Sequence, residues 1–228
     1  MLKNSRIEEI LHIVNSVGSI SIGELAEQTF ASRSTIRRDL DKLERKGLIR
    51  RHHGGAESVL SSNPTQIIRR GRNQAEKSKI ALKAAAFVTS GSTIFIDAST
   101  TVQYMIPYLS AIESLTVYTN GADTAMRLGE ARIRAICTGG ELLSESLAYV
   151  GSVAIDTVRK VYFDAMFFSS AGFDDIVVTD WSEEEIVFRR VVMEQSAKRF
   201  FLADSTKRGE RYTHIVCHLN EIDKIICD

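Results

Sequence analysis

Two groups of side chains in this sequence have types and spacings suited to chemistry. The first is Ser32, Arg33, Ser34, Thr35, Arg37 and Arg38. Arginine forks reach guanine edges and phosphates, and Ser and Thr hydroxyls reach base edges or phosphates, so this group suits DNA. The second lies in short polar segments that each follow an apolar run: Asp97-x-Ser99-Thr100-Thr101, Asn120-Gly121, Gly139-Gly140 and Asp204-Ser205-Thr206-Lys207. Hydroxyls and N–H groups at Ser99, Thr100 and Thr101 suit an anion at a helix start. Asp97 and Asn120 suit sugar hydroxyls, Gly139 and Gly140 allow close backbone approach, and Lys207 is a cation placed for a phosphate. No pattern sets a general acid against a general base. No metal is expected: His52 and His53 are strand neighbours pointing opposite ways, and Cys217 points away from the face shared by His214 and His218. No cofactor is called for either.

The elements that must carry the first group follow from periodicity. Ile7, Ile10, Leu11 and Val14 have i, i+3, i+4, i+7 spacing, which marks a first helix ended by Gly18. Ser19-Ile20-Ser21 is a short extended piece. Ser21-x-x-Glu24 is a capping box for a second helix that turns Ile22, Leu25 and Ala26 inward. A turn at Phe30-Ala31 leads to a third helix, capped by Ser32, buried along Ile36, Leu40 and Leu43, and stopped at Gly47. Two helices joined so tightly, the second basic, form a helix-turn-helix. Beyond it, 48–51 and 56–59 pair as strands around a turn at His52-His53-Gly54-Gly55. This wing places Arg50, Arg51 and His53 to touch the DNA backbone or minor groove.

Composition agrees with this division. The formal net charge is zero, yet residues 1–56 hold ten Lys and Arg against seven Asp and Glu. A basic head on a slightly acidic body suggests a polyanion partner for the head alone. No apolar run approaches membrane-spanning length and the N-terminus lacks a signal-peptide core, so the expected place is the cytoplasm, with no membrane partner. The three cysteines, Cys137, Cys217 and Cys227, read as buried thiols. Residues 59–73 form a linker with a turn at Ser61-Ser62-Asn63-Pro64. Its basic cluster, Arg69, Arg70 and Arg72, is either a phosphate contact or a solvated face.

From 74 onward, helices alternate with short apolar strands, the signature of a layered α/β domain. A helix carries Ile80, Leu82, Ala85, Ala86 and Val88. Strands at 93–97, 115–119 and 133–137 end in the polar segments named above. In an open parallel sheet such strand ends line one crevice. A helix at 149–158, an apolar strand at 164–170, a turn and short excursion at 174–180 and a helix at 182–198 follow. Strands at 199–203, 214–217 and 224–227 close the chain.

The run Ser34-Thr35-Ile36-Arg37-Arg38-Asp39-Leu40, followed by Leu43, Lys46-Gly47-Leu48-Ile49 and His53-Gly54-Gly55-Ala56, resembles the DeoR family of bacterial repressors. The second half resembles that family's sugar-phosphate sensor domain through Asp97-x-Ser99-Thr100-Thr101, Thr119-Asn120, Gly139-Gly140 and Ala203-Asp204-Ser205-Thr206-Lys207. The resemblance implies a winged helix-turn-helix at 1–58 and an effector-binding and oligomerisation domain at 74–228, similar in fold to ribose-phosphate isomerases. It implies ligand roles for Asp97, Ser99, Thr100, Thr101, Asn120, Gly139, Gly140, Asp204 and Lys207, and adds Glu185 and Arg189. The expected partners are double-stranded operator DNA, a phosphorylated sugar and further copies of the chain in a dimer or tetramer. Four departures stand out. Phe30 replaces the usual Gly or Asn, so a differently shaped turn is expected. Gly121 stands where Ser is frequent, and Arg189 where Lys is common. The chain also stops at Asp228, short of a usual final helix and strand. The alternatives are an isomerase-like enzyme fused to a DNA-binding head, and a DNA-binding protein with a purely structural oligomerisation domain.

Overall fold

The computed structural model describes residues 3–52, 54–58 and 66–228, and the chain folds as two compact units that meet in sequence between Gly71 and Arg72. The first contains α1 (Lys3–Val17), β1 (Ser19–Ser21), α2 (Ile22–Gln28), α3 (Arg33–Arg45), β2 (Ile49–His52), β3 (Gly55–Ser58) and α4 (Gln66–Gly71). Ile10, Val14, Leu25, Ile36, Leu40, Leu43 and Ile49 form its core, buried through the periodicity expected of amphipathic helices. Ser21 caps α2 through the reciprocal bonds of a capping box with Glu24. Gly47 takes a positive φ of 68°, and Leu48 N–H closes onto Leu43 O at 3.0 Å, ending α3. The strands pair antiparallel in the order β1-β3-β2, so the extended piece at Ser19–Ser21 is the third strand of the wing. The basic cluster at 69–70 lies on α4 rather than in an irregular linker. His53 and the expected turn at Ser61–Pro64 lie outside the described residues.

The second unit begins with α5 (Gln74–Ala85), β4 (Thr93–Ile96), α6 (Thr100–Gln103), α7 (Ile106–Leu109), β5 (Thr116–Thr119), α8 (Ala122–Glu130) and β6 (Arg134–Cys137). The hairpin β7 (Glu141–Leu143) and β8 (Ala148–Val150) then leads to α9 (Gly151–Val158) and β9 (Ala165–Phe168). The rest comprises β10 (Gly172–Phe173), β11 (Val177–Asp180), α10 (Glu183–Glu194), β12 (Arg199–Leu202), β13 (His214–His218) and β14 (Lys224–Ile226). Six strands form one parallel sheet in the order β14-β12-β9-β4-β5-β6. Alternate side chains enter opposite layers: Ile94 and Ile96 join the core with α5, α6 and α7, whereas Phe95 joins the core with α9 and α10. From central β4 the chain winds outward through β5 and β6, then returns to β9 on the other side. The strand order therefore reverses between β4 and β9.

Several expectations change. Leu82 is 58% exposed, because the buried stripe of α5 is Lys77, Ile80, Ala81 and Ala84. The helix expected up to Leu109 is two single turns, the second opened by Pro107, which lacks an N–H. The helix expected from 149 begins at Gly151, since Ala148–Val150 pairs in the hairpin. The turn at Asp174–Asp175 is present, but the excursion after it is strand β11: β10, β11 and β13 form an antiparallel side sheet, so His214–Cys217 lies outside the main sheet. Cys137 is exposed on edge strand β6 rather than buried. Burial pushes the Cys217 thiol up to about 12.

Candidate nucleic-acid interface and effector site

In the first unit, α3 buries Ile36, Leu40 and Leu43 and leaves Arg33, Ser34, Arg37 and Arg38 exposed on its other surface. Ser32 Oγ accepts from Thr35 N–H at 3.2 Å and lies within hydrogen-bond distance of the Ser34 and Thr35 hydroxyls, so three hydroxyls gather at the helix start. Among the described residues, Arg33, Arg37, Arg38 and Arg50 have no ion-pair partner. Arg51 differs: its guanidinium bonds the Asp41 carboxylate and its backbone N–H donates to Glu44, so it fastens the wing to α3. Asp39, buried in the middle of α3, is held by Arg6 at 2.8 Å and Lys42 at 3.4 Å. These pairs consume charge that composition alone would assign to DNA.

Phe30 keeps a left-handed backbone, φ 50°, despite its bulk. Phe30 N–H bonds Glu27 O at 3.4 Å and Ala31 N–H bonds Ala26 O at 3.0 Å, the closing pattern of a Schellman motif. The turn expected to change shape does not; the backbone bonds impose it and Phe30 carries the strain.

In the second unit Asp97 lies beside the reversal of strand order; Asn120 lines the same space, and the loop after β12 reaches it through Lys207 and Ser169, whereas no contact joins Gly139 and Gly140 to it among the described residues. Asp97 Oδ1 accepts Ser99 N–H at 2.9 Å, Oδ2 accepts Ser169 N–H at 3.1 Å, and Arg189 Nη2 lies 3.8 Å away. Lys207 Nζ donates to Ser169 Oγ at 2.8 Å. Lys77 Nζ donates to Thr100 Oγ1 at 3.1 Å. Asp204 is buried, accepts Asn73 Nδ2 at 3.0 Å and takes the Thr206 hydroxyl, which fixes the loop carrying Lys207. Ser99 caps the single turn α6, and Thr100 and Thr101 are buried. Four residues make a negligible macrodipole, so an anion here relies on hydroxyl, N–H and lysine donors.

Arg189 does not point a free cation into the crevice. It is 5% exposed and faces three carboxylates: Asp180 at 3.1 Å, and Asp97 and Glu185 at 3.8 Å each. Burial opposes its charge, but these carboxylates raise its pKa and keep it protonated. Burial pushes the Asp97 carboxyl up, and the Arg189 charge with the Ser99 and Ser169 bonds offsets only part of that. Burial acts on Asp180 in the same direction, yet Arg189, Trp181 N–H and the Ser170 hydroxyl together hold it below its ordinary value. Asn120 Nδ2 donates to Tyr149 O at 3.1 Å, which fixes the amide orientation. Its buried Oδ1 has no hydrogen-bond partner among the described residues and lines the same narrow space as Asp97, Glu185 and Arg189. That space, about 10 Å³, has room for roughly one water. The crevice thus offers acceptors at the Asp97–Asn120–Glu185 end, Lys207 is joined to Asp97 through Ser169, and Lys77 is buried against Thr100.

The glycines divide. Gly140, at φ 113°, lies so close to Val150 O that a Cβ would come within 2.5 Å of it, so its freedom serves the start of α9 rather than a ligand. Gly139, at φ 64°, has open space around it. At Gly121 a Cβ would meet Ala98 Cα at 2.9 Å, which excludes Ser in this geometry. Sequence reasoning missed Lys77, Asp180 and Ser169. Only Lys77 left a signal, since it stands in register with the apolar stripe Ile80, Ala81 and Ala84.

Comparison with known proteins places these geometries. Residues 6–62 match the DeoR-like helix-turn-helix domain, and residues 72–228 match the DeoR C-terminal sensor domain. An uncharacterized HTH-type transcriptional regulator of Bacillus subtilis (strain 168) is 36% identical over 232 residues, covering 100% of this chain and 90% of that protein. The lactose phosphotransferase system repressor of Staphylococcus aureus (strain N315) is 32% identical, covering 100% and 93%. Among solved structures, eIF2B delta from Chaetomium thermophilum superposes with a TM-score of 0.53 at 15% identity, over 71% of this chain and 58% of that one. Ribose 5-phosphate isomerase A from Neisseria gonorrhoeae gives 0.45 at 15% identity, over 59% and 53%, so the chain spans little more than half the length of these structures. No helix among the described residues is long and apolar enough to cross a membrane. With both family models matched in order along its length, the chain belongs to the DeoR family of transcriptional regulators, a DeoR-like helix-turn-helix domain followed by a DeoR C-terminal sensor domain.

Proposed function

We propose that this chain represses a carbohydrate-use operon in the cytoplasm, and that a phosphorylated sugar bound at the strand ends of the sensor domain changes its affinity for operator DNA. One observation carries the reading: Lys207, Ser169, Asp97 and Ser99 form one hydrogen-bonded run at the point where the strand order reverses. The Lys77 and Lys207 side suits a phosphate. Asp97, Asn120 and Glu185, with acceptors toward the same space, suit sugar hydroxyls. Arg189 acts as a positioning residue that holds the carboxylates in place. On DNA, Ser32, Arg33, Ser34, Thr35, Arg37 and Arg38 meet the major groove, and the wing with Arg50 and His53 meets the backbone or minor groove. The segment 59–73 serves as the connector between the two domains.

The effector must bind the DNA-competent and DNA-incompetent arrangements unequally. A dimer or tetramer presents paired recognition helices to a symmetric operator, because one helix-turn-helix binds weakly at physiological salt. The sensor binds sugar phosphates without converting them. A thermal-shift screen against pentose and hexose phosphates and their parent sugars tests this reading, because a ligand of the native state raises the melting temperature. A rise with a phosphorylated sugar and none with its parent supports it. No rise with any sugar phosphate favours a purely structural domain, and turnover of one favours an enzyme.

A further inference from the structure

Phe30 combines two costs that nothing among the described residues of the first unit repays. It holds φ 50°, a conformation that strains any side chain larger than glycine or asparagine, and it is 97% exposed. The turn itself needs only the left-handed backbone, which the Phe30–Glu27 and Ala31–Ala26 bonds impose and which glycine would adopt without strain. The benzyl group is therefore dispensable to the fold. Its position is informative: Phe30 stands two residues before Ser32, the cap that opens α3 and gathers the Ser34 and Thr35 hydroxyls, with exposed Arg33 alongside. The first turn of a recognition helix is the part that meets base edges. Among the described residues at this end of α3, Phe30 is the large apolar side chain exposed beside the polar groups, with only the small, half-buried Ala31 next to it. In the major groove the apolar feature of a base pair is the C5-methyl of thymine, which side chains including Phe contact.

We propose that Phe30 is a specificity residue that packs on a thymine methyl at the edge of the operator half-site. The assignment rests on the DNA-binding reading of this unit, and the test separates the two. The full-length chain is used to select duplexes from a random-sequence pool, and affinity for the enriched duplex is measured by fluorescence anisotropy. Wild type, Phe30→Gly and Phe30→Asn are compared at fixed salt, and each thymine of the duplex is replaced in turn by uracil, which removes only the methyl. Both variants should melt at a higher temperature than wild type and bind the selected duplex about fivefold or more weakly. One uracil position should weaken wild type while leaving Phe30→Gly unaffected. Variants that bind as wild type does overturn the proposal. So does a loss of affinity that no uracil position reproduces in wild type, which would mark a backbone contact instead. A wild-type chain that enriches no duplex overturns the DNA reading itself, and this assignment with it.

Discussion

Replacing Arg189 by Met should turn a quiet buried cluster into a pH-sensitive fault. The guanidinium is the partner that three carboxylates share at 3.1–3.8 Å, and side chains on both sides are almost fully buried. Removing one member of a buried ion pair, and so leaving uncompensated charge, costs about 3–5 kcal/mol. We expect a loss of that size for the sensor domain at pH 8. The sign of the pH dependence follows from the two carboxyls. Asp180 is held below its ordinary 3.8, so it stabilises the wild-type fold above that pH, and this contribution fades as pH falls through its folded value. Asp97 is raised above 3.8, so it costs stability above its folded value, a cost relieved on acidification. Arg189 lowers both. Without it both rise, the folded state binds protons that the unfolded chain does not, and stability falls as pH increases. The variant should therefore gain more stability between pH 8 and pH 5 than wild type does, because removing Arg189 raises both carboxyls further. Urea unfolding followed by Trp181 fluorescence measures this well. Trp181 is the single tryptophan, its backbone N–H donates to Asp180 Oδ1, and its ring packs edge-on against Tyr212. An Arg189→Met protein that loses less than about 1 kcal/mol at pH 8, or that follows wild type at every pH, would refute the reasoning.

Three further outcomes are expected. Arg37→Ala and Arg38→Ala should each weaken binding to the selected duplex about tenfold at unchanged melting temperature, measured by anisotropy and calorimetry. Arg51→Ala should weaken it less, because Asp41 already holds that guanidinium. Gly140→Ala should lower sensor-domain stability by about 2 kcal/mol or more by driving a methyl into Val150 O, whereas Gly139→Ala, in open space, should cost about 1 kcal/mol in the same denaturation assay. Lys207→Ala should abolish the thermal shift produced by a phosphorylated sugar while leaving duplex affinity intact.

The parts of this molecule that were legible in the sequence are those set by local rules. The capping box at Ser21–Glu24, the Ser32 cap, the Gly47 stop and the periodic burial of Ile36, Leu40 and Leu43 all appear as read, because short-range bonds and one apolar face determine them. Asp97, Asn120 and Asp204 likewise fall at the ends of parallel strands. What stayed hidden depends on long-range pairing. The segment 174–180, with acids at Asp174, Asp175 and Asp180, looks like a turn plus a short excursion, yet Val177–Asp180 is a strand to which β13 pairs from 34 to 41 residues on. Arg189 looked like a ligand-binding cation until Asp97, Asp180 and Glu185 closed around it. Arg51 looked like a phosphate contact until Asp41 claimed it. Charge in a sequence marks a capacity; only the fold shows how much of it is already spent.

The most direct test of the account joins its two halves: anisotropy of the selected duplex, bound by the full-length chain, titrated with the phosphorylated sugar that shifts the melting temperature and with its unphosphorylated parent. The account predicts a change in duplex affinity with the phosphorylated sugar alone, lost in Lys207→Ala. Duplex affinity that stays constant while the sugar phosphate saturates the sensor domain would contradict it.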